Sequence, residues 1–443
     1  MKKIVTYGIF DKFHYGHLSL LKRARELGDF LIVGVVSDEY AQDRGKLCVV
    51  DSLETRMENI RKTGLADEVL IEDHDSQKVE DIVKYGIDAL VCGSDWQGKF
   101  DYLKPYCKVI YLPRTEGISS TMIRNQKYPK VRVGMIGNGR IAHRFVKEAL
   151  AVEGICLTGV YNPHQESASA FALQEHLTHV WNTPEEMYED VDAVYICSPH
   201  QTHDEYTEDA LTHHKHVLCE KPLSFKEENI HRLYALAEQN HLVLMEGIKT
   251  AYCPGFLKLM RTVNSGVIGE VTDIEASFTR LTDDDLREWT DDQFGGSFTE
   301  FGSYVLLPVI KLYGTDVQVD HIHSTNKNHV DSYTKMILSC GNKTATVKTG
   351  IGVKTEGQMI IAGTKGYIVV DAPWWKTTRF EVRHEDPNQE EIFESRFVEE
   401  GLRYEISDFL YRIEGHPGRD DRLTAEESAA IGRILEQFLR ARQ

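Results

Sequence analysis

Residues 130–144, KVRVGMIGNGRIAHR, constrain the fold of this 443-residue chain more than any other stretch. Their apolar residues predict a short buried strand, after which Gly137 and Gly139 turn the chain into a helix. Gly137 permits the tight turn, and Gly139 has no Cβ to keep a pyrophosphate from the amides at the helix N-terminus. The pattern predicts a dinucleotide-binding domain. Because residues 1–129 precede it, we expect a separate domain in front.

The sequence after this turn predicts a Rossmann domain over residues 130–248. A predicted strand at 155–161 ends at Asn162, where an acidic residue would bind the adenosine ribose of NAD. Asn162 in place of an acid, with Arg140 nearby in the glycine turn, favours NADP, although NAD remains open.

From about Gly266 the apolar pattern changes to a period of two, in stretches such as VTDIEASFTR, SYTKMILSC and GYIVVDA. Such alternation predicts strands with one buried face. We therefore expect an α+β domain over residues 249–443, built on a large antiparallel sheet, with closing helices that can pack back on the Rossmann domain. By analogy, the strand pattern suggests sheet-to-sheet contacts in a homo-oligomer, either a dimer or a tetramer.

Charge and composition exclude several classes of protein. The net charge is −18, divided as −1 over residues 1–127, with 19 basic and 20 acidic residues, and −17 over the remainder. Nothing in this distribution resembles a basic nucleic-acid-binding surface. No apolar run has the length of a membrane span, and the first residues lack the apolar core of a signal peptide. We expect a cytoplasmic protein without a membrane partner.

Eight cysteines are scattered without a C-x-x-C pair, several of them within apolar runs. This pattern indicates reduced, buried thiols rather than disulfides or a zinc site. The histidines at 213, 214 and 216 have no fourth ligand spaced to join them, which favours a solvated turn over a metal site. We expect no metal centre formed by protein side chains.

Residues 1–127 alternate predicted strands and helices, which indicates a parallel, Rossmann-like sheet with helices on both faces. His14 and His17 lie beside a glycine at the mouth of the first helix, where imidazoles can donate hydrogen bonds to phosphate oxygens. Near the other end, the stretch RTEGISST offers hydroxyls and amides to a triphosphate at a strand-to-helix junction.

These motifs carry a family resemblance. The stretches TYGIFDKFHYGH, LKRARELGD, GSDWQGKFD and VIYLPRTEGISST are similar to the cytidylyltransferase family, in particular to glycerol-3-phosphate cytidylyltransferases. The resemblance implies transfer of CMP from CTP, accompanied by Mg²⁺, to a polyol phosphate. It implies catalytic roles for His14, His17, Lys46 and Arg114. It also implies CTP contacts by Gly8, Phe10, Asp11, Arg56, Asp95, Trp96, Ser119, Ser120 and Thr121.

Residues 130–443 resemble the glucose-fructose oxidoreductase/inositol dehydrogenase (GFO/IDH/MocA) family through GNGRIA, SPHQTH, EKP, MEGIKTAYCP and GGSFTEFGSY. The resemblance implies an NAD(P)-dependent oxidoreductase with Lys221 and Tyr304 as its acid/base pair, although Tyr304 could instead be a buried core tyrosine. It implies cofactor contacts by Gly137, Asn138, Gly139, Arg140, Ile141, Asn162, Ser198, Pro199, His203 and Glu220. The implied substrate residues are Lys249, Tyr252 and Glu300, with Lys249 able to meet a substrate phosphate.

The two resemblances together favour a bifunctional enzyme of CDP-polyol biosynthesis. The oxidoreductase would make a polyol or polyol phosphate from a keto or aldehyde precursor. The transferase would couple the phosphate, with glycerol 3-phosphate favoured, to CMP for a surface polymer such as teichoic acid. Two alternatives remain open. The oxidoreductase acts on the CDP-linked product, or the second half is a non-catalytic dinucleotide-binding or assembly module.

Overall fold

A computed structural model describes residues 1–13, 15–43, 49, 51–74, 76–113, 130–418 and 421–442. The chain divides into two compact units, Met1–Pro129 and Lys130–Gln443. Within the described ranges, no helix has both the length and the apolar character that crossing a bilayer requires.

The first unit is a five-stranded parallel sheet with helices on both faces, as the alternating pattern predicted. The strand order is β3-β2-β1-β4-β5. The strands are β1 Lys3–Gly8, β2 Phe30–Val36, β3 Glu68–Glu72, β4 Ala89–Gly93 and β5 Lys108–Leu112. The described helices are Tyr15–Arg25, Asp38–Asp43, Leu53–Lys62 and Gln77–Tyr85, with short 3-10 turns at Ser94–Trp96 and Asp101–Leu103.

Successive residues of β1 fill two separate cores. Ile4 packs with Leu21 of the first helix on one face of the sheet. Val5 packs with Ile82 of the last described helix of this unit on the other face. Side chains along a strand alternate between faces, so a sheet covered on both sides needs a continuous apolar run. The first helix and the sheet core therefore follow from local sequence.

The second unit begins with a six-stranded parallel sheet of order β11-β10-β9-β6-β7-β8. Its strands are β6 Val131–Ile136, β7 Ile155–Tyr161, β8 His179–Trp181, β9 Ala193–Ile196, β10 His216–Glu220 and β11 Leu244–Gly247. Its helices are Arg140–Ala149, Gln165–Gln174, Pro184–Asp190, His203–Thr212 and Glu227–Gln239. The carboxyl ends of β6, β9 and β10 are adjacent, which is where an open parallel sheet binds its ligand.

An eight-stranded sheet of order β13-β14-β15-β12-β16-β17-β18-β19 forms most of the remainder. Its strands are β12 Val271–Thr279, β13 Gln318–Lys327, β14 Val330–Cys340, β15 Lys343–Gly350, β16 Met359–Gly363, β17 Tyr367–Val370, β18 Arg379–Arg383 and β19 Glu390–Glu394. The sequence predicted an antiparallel sheet, but β12 and β15 are parallel. The reason is topological. A long helix, Ser297–Tyr313, leads into the three-strand meander β13–β15, whose last strand runs in the direction of β12.

Pro254–Asn264 and the short Arg287–Thr290 are further helices of this part, and Leu402–Ile413 and Ala425–Arg442 close the chain. The two closing helices pack on the Rossmann part. Glu148 accepts hydrogen bonds from the backbone N–H of Glu400 at 2.7 Å and of Gly401 at 3.2 Å, where the first closing helix begins. Ser428 of the last helix hydrogen-bonds the carboxyl of Glu246 at the end of β11.

Candidate active sites

The glycine turn after β6 fits a dinucleotide. Gly137 has φ +103°, and a Cβ built there would lie 2.7 Å from the carbonyl oxygen of Cys197, so a larger residue would clash with the backbone after β9. A Cβ built on Gly139 meets nothing within 4 Å. Gly139 immediately precedes the helix Arg140–Ala149, in which Ile141 is the second residue. Open space beside a helix N-terminus is the feature that a pyrophosphate requires.

Asn162, at the end of β7, belongs to a short amide network beside this turn. Its Nδ2 donates to Oδ1 of Asn138 at 2.8 Å, and its Oδ1 accepts from the backbone N–H of His164 at 2.8 Å. Asn138 donates in turn to Ser167 Oγ at 2.7 Å. The network fixes the amide of Asn162 at the position predicted for the adenosine ribose.

Arg140, which the sequence linked to the same ribose, forms an ion pair with Glu288 in the helix Arg287–Thr290. Glu288 is buried and also lies 3.8 Å from Arg280. The guanidinium of Arg140 is therefore already paired with a carboxylate from the other half of this unit, a partner that the local sequence does not reveal.

The loop after β9 is tied to the loop after β10 by His203. The two ring nitrogens of His203 lie 2.9 Å from the carbonyl oxygen of Ser198 and 2.8 Å from that of Pro222. Burial lowers the pKa of His203 to about 4, against the opposing effect of the two carbonyls. A neutral ring donates to one of the two carbonyls at a time. Pro199 precedes His200, whose ring is also buried.

Lys221 and Tyr304 lie together at the carboxyl end of β10. Lys221 Nζ donates to the backbone oxygen of Glu300 at 2.9 Å and lies 3.4 Å from its Oε1. The same ammonium is 5.8 Å from the centroid of the Tyr304 ring. Glu300 and Tyr304 are one turn apart in the helix Ser297–Tyr313. Lys221 and Tyr304 are each 8% exposed, so both side chains are largely enclosed by the protein.

The buried phenol of Tyr304 lies near three carboxyl groups. Burial raises its pKa well above the usual value, and Glu220, Glu405 and Glu300 raise it further. Glu220 accepts a hydrogen bond of 2.7 Å from the hydroxyl of Tyr195. A phenol in this environment keeps its proton at neutral pH and can act as a proton donor.

Lys249 and Tyr252, the other two predicted substrate residues, donate hydrogen bonds to backbone oxygens of the protein. Lys249 Nζ donates to the backbone oxygen of Glu400 at 2.7 Å and lies 3.8 Å from its carboxylate. Tyr252 is buried, and its hydroxyl donates to the backbone oxygen of Glu246 at 3.2 Å. The closing part of the chain supplies the partner of Lys249, which explains why the sequence around Lys249 did not indicate this contact.

Three residues near Lys221 and Tyr304 were missed. His200 lies within the SPHQTH motif, and its Nε2 is 3.3 Å from Nη2 of Arg287. Glu405 is fully buried, and among the described residues neither of its carboxyl oxygens has a hydrogen-bond partner. His200 could have been identified from its motif, but Arg287 and Glu405 belong to no motif.

In the first unit, the loop after β1 has an unusual backbone conformation. Phe10 has φ +56°, and its ring lies edge-on to the ring of His17 at 5.3 Å between centroids. His17 is in the first turn of the helix Tyr15–Arg25. Gly8 ends β1, and a Cβ built on it would lie 3.0 Å from the Phe10 ring. A non-glycine residue with positive φ is typical of loops that hold ligands or functional groups.

Arg56 holds this loop in place. It is fully buried and donates to the backbone oxygens of Ile9 and Val36, each at 2.8 Å, and of Asp51 at 3.0 Å. It also forms an ion pair with Asp38. These contacts join the loops after β1 and β2 to the helix Leu53–Lys62. Arg56 therefore stabilises the loop after β1 through buried hydrogen bonds.

Asp11 strengthens the same loop, because its Oδ1 accepts from the backbone N–H of Asp51 at 2.9 Å. Trp96 is 40% exposed after β4, in the 3-10 turn that also contains Asp95, and its ring stacks on Phe100 at 5.6 Å. The remaining predicted residues of this site lie outside the described residues: His14, Lys46, Arg114, Ser119, Ser120 and Thr121.

Comparison with known families agrees with this division. Residues 5–126 match the cytidylyltransferase-like family. Residues 131–248 match the oxidoreductase family with an NAD-binding Rossmann fold, and residues 256–369 match the GFO/IDH/MocA C-terminal domain.

Individual relatives cover each half separately. The chain is 52% identical over 124 residues to glycerol-3-phosphate cytidylyltransferase from Bacillus spizizenii, covering 28% of this chain and 95% of the relative. It is 29% identical over 317 residues to scyllo-inositol 2-dehydrogenase (NADP(+)) from Bacillus subtilis, covering 69% of this chain and 95% of that enzyme.

A solved structure shares the fold of the second unit. It is a 3-ketoreductase from Actinomadura kijaniata in complex with NADP and TDP-benzene, with a TM-score of 0.61 and 23% identity, covering 69% of this chain and 96% of the other. The chain therefore belongs to two enzyme families, with an N-terminal cytidylyltransferase-like domain of the glycerol-3-phosphate cytidylyltransferase type fused to an NAD(P)-dependent oxidoreductase of the GFO/IDH/MocA family.

Proposed function

We propose that this protein makes a CDP-activated polyol in two steps. The oxidoreductase reduces a phosphorylated ketone or aldehyde to a polyol phosphate, and the transferase joins that phosphate to CMP with release of pyrophosphate. The observation that carries the reductive half is the pairing of Lys221 and Tyr304 beside the adjacent carboxyl ends of β10 and its neighbours.

For the transferase we propose glycerol 3-phosphate as acceptor, because the relative that is 52% identical over this domain is a glycerol-3-phosphate cytidylyltransferase. The acceptor phosphate attacks the α-phosphorus of CTP, and the bond to pyrophosphate breaks. Catalysis then requires positioning and neutralisation of charge, to which His14, His17, Lys46 and Arg114 would contribute, with Mg²⁺ bound to CTP. The product, CDP-glycerol, would serve a surface polymer such as a teichoic acid.

For the oxidoreductase we propose NADP as the cofactor, with reduction as the working direction. A bound nicotinamide supplies the hydride. The proton for the resulting alkoxide comes from the Tyr304 hydroxyl, while Lys221 polarises the substrate carbonyl. The raised pKa of Tyr304 keeps its hydroxyl protonated at neutral pH, as a proton donor for the alkoxide requires.

We also infer a homo-oligomer formed through the eight-stranded sheet. Ile360 of β16 and Ile392 of β19 are exposed, and cross-strand pairing through Val369 and Glu381 puts them in one row on the sheet. Two exposed isoleucines on one face of the sheet support a sheet-to-sheet contact between copies. Light scattering coupled to size exclusion would test this, since a monomeric mass at micromolar concentration contradicts it.

The transferase is tested by release of pyrophosphate from CTP with glycerol 3-phosphate, glycerol 2-phosphate, erythritol 4-phosphate and ribitol 5-phosphate. We expect a clear preference for glycerol 3-phosphate. A preference for another member would transfer the proposal to that polyol, and release with none of them would end the CDP-glycerol assignment.

The order of the two steps is tested with the oxidoreductase. NADPH consumption is followed with dihydroxyacetone phosphate and with the oxidised form of CDP-glycerol, and the product is identified by NMR. A product that the transferase accepts supports the proposed order. Turnover of only the CDP-linked compound would reverse the order. If neither substrate consumes NADPH or NADH, the second half is better explained as a non-catalytic dinucleotide-binding module.

A further inference from the structure

We propose that Arg280 and Arg287 form an anion-binding site beside Lys221 and Tyr304, which takes the phosphate of the oxidoreductase substrate. The inference rests on the proposed function and deepens it, because it names the residues that would bind the phosphate of the ketone or aldehyde. It also assigns phosphate recognition to residues other than Lys249, whose ammonium donates to the backbone oxygen of Glu400.

Arg287 is linked to the predicted catalytic pair through Glu300. Its Nη2 lies 3.3 Å from Nε2 of His200 and 3.9 Å from Oε2 of Glu300, the residue whose backbone oxygen accepts from Lys221. The side chain is 35% exposed. Arg287 and Lys221 therefore approach the same carboxylate, and a short phosphorylated ketone can span from one to the other.

Two donors at this point have no acceptor within the described part of the chain. One is Nη1 of Arg287, whose ion pair with Asp291 is at the long distance of 4.0 Å. The other is Nδ1 of the buried His200, which carries the proton when Nε2 accepts from Arg287. Unpaired buried donors cost free energy, so an oxyanion that lets these side chains turn toward it would gain more than water offers.

Arg280 approaches the same turn of the Tyr304 helix from β12. Its guanidinium carbon lies 5.8 Å from the centroid of the Phe301 ring, next to Glu300, and 44% of the side chain is exposed. Its carboxylate contact, at 3.8 Å, is with Glu288, which already pairs with Arg140. Arg280 is therefore only partly neutralised and faces solvent.

The balance of charge favours an anion here. The ion pairs of this cluster join four cations, Lys221, Arg140, Arg280 and Arg287, to three carboxylates, Glu288, Asp291 and Glu300. Glu220 and Glu405 also lie near Tyr304, but burial raises the pKa of both carboxyl groups, which favours their neutral forms. His200 adds no charge, since burial and the neighbouring cations lower its pKa well below the usual range. A local cation excess is notable because the chain after residue 127 carries a net charge of −17. Partly desolvated arginines are suited to bind phosphate through two parallel hydrogen bonds.

The same chemistry could come from two sources, the phosphate monoester of a free keto compound or the diphosphate of a CDP-linked one. Dihydroxyacetone phosphate, unphosphorylated dihydroxyacetone and CDP-glycerol distinguish them. Each is titrated into the full-length protein carrying bound NADPH, whose fluorescence reports on the oxidoreductase alone. The test variants are Arg287→Gln and Arg280→Gln. The matched control is Arg232→Gln, which removes an arginine that pairs with Glu208 on the surface away from this cluster.

We expect dihydroxyacetone phosphate to bind at least about tenfold more tightly than dihydroxyacetone. Arg287→Gln should abolish this difference, Arg280→Gln should reduce it, and neither should change NADPH affinity or the binding of dihydroxyacetone. Arg232→Gln should leave all values unchanged. If only the binding of CDP-glycerol depends on the arginines, the anion-binding site is supported and its ligand is the diphosphate of a CDP-linked compound.

The proposal is overturned if neither phosphorylated ligand binds more tightly than dihydroxyacetone, or if Arg287→Gln weakens neither. Failure of the proposed function would give a different result, because NADPH would then not bind or would not be consumed. In that case calorimetric titration of dihydroxyacetone phosphate into wild type and Arg287→Gln tests the site directly. A difference between the two supports it, and identical titrations reject it.

Discussion

Lys221 donates a 2.9 Å hydrogen bond to the backbone oxygen of Glu300. This contact joins the end of β10 to the helix Ser297–Tyr313 and brings the lysine ammonium within 5.8 Å of the Tyr304 ring centroid. A residue of the Rossmann sheet and one of the α+β part thus form one arrangement. Both side chains are mostly buried, so neighbouring residues restrict their movement.

The first prediction concerns Tyr304. Tyr304→Phe removes the proposed proton donor and keeps the ring, so kcat for ketone reduction should fall about 10²–10⁴-fold. The affinity for NADPH, measured by fluorescence, should be unchanged. Phe278, whose ring centroid lies 5.1 Å from that of Tyr304, provides the control. Phe278→Leu changes the packing near the ring, and a comparable loss in that variant alone would identify Tyr304 as a structural residue.

The glycine turn provides a second prediction with a matched pair. Gly139→Ala places a methyl where nothing lies within 4 Å, so the fold should tolerate it while the affinity for NADPH falls. Gly137→Ala should destabilise the domain itself, because its Cβ would lie 2.7 Å from a backbone oxygen and its φ is +103°. Thermal unfolding and NADPH titration separate the two effects. Unchanged NADPH binding in Gly139→Ala would contradict a pyrophosphate at this turn.

Cofactor preference gives a third prediction. Asn162→Asp places a negative charge at the ribose position, which should repel a 2′-phosphate and accept from a 2′-hydroxyl. We expect the ratio of NADPH to NADH affinity to fall by about tenfold or more, measured by fluorescence titration of both cofactors. Asn162→Ser removes the amide without adding charge and serves as the control. An equal change in both variants would mean that the amide network, rather than charge, sets the preference.

The buried carboxyl of Glu246 predicts a pH dependence of stability. Burial raises the pKa of Glu246 to about 7. A raised pKa in the folded state means that this group's stabilising contribution is fully present below its unfolded pKa and is lost as pH rises through about 7. The wild type should therefore lose about 3 kcal/mol of unfolding free energy from this group between pH 5 and pH 8.

Glu246→Gln keeps the shape of the side chain and removes its titration, so the free energy of unfolding in urea should depend less on pH. At pH 8 the variant should be more stable than wild type. Glu228→Gln, at an exposed position, makes the same change of charge and should leave the free energy of unfolding unchanged at either pH. Parallel pH profiles for wild type and Glu246→Gln would refute the prediction.

Arg56 predicts an effect on the transferase domain. Arg56→Met leaves three backbone oxygens without their donor, which should destabilise this domain by about 3 kcal/mol or more. Loss of pyrophosphate release should then occur at lower urea concentration than in wild type, while NADPH-dependent activity is retained. The surface variant Arg61→Met, in the same helix, is the control. Equal urea sensitivity of the two variants would assign Arg56 a role in ligand binding rather than in folding.

Many residues of the candidate site were predicted from the sequence, because the signals that indicate them are local. The SPHQTH and EKP motifs predicted His203 and Lys221 as site residues, and the structure brings these residues close to each other at the ends of β9 and β10. Lys249 and Arg140 were named by the same reasoning, but their contacts with Glu400 and Glu288 were not foreseen. Those acids lie 151 and 148 residues further along the chain, beyond the range of any pattern in strands or helices.

The sequence by itself indicated the two parallel, Rossmann-like sheets and a boundary near residue 129, because the glycine turn and apolar periodicity act over a few residues. Only the tertiary structure decided that β15 runs parallel to β12, that Glu405 is buried near Glu220, and that Arg287 contacts His200. These contacts form when separate elements pack together, and packing selects them by shape and charge rather than by spacing along the chain.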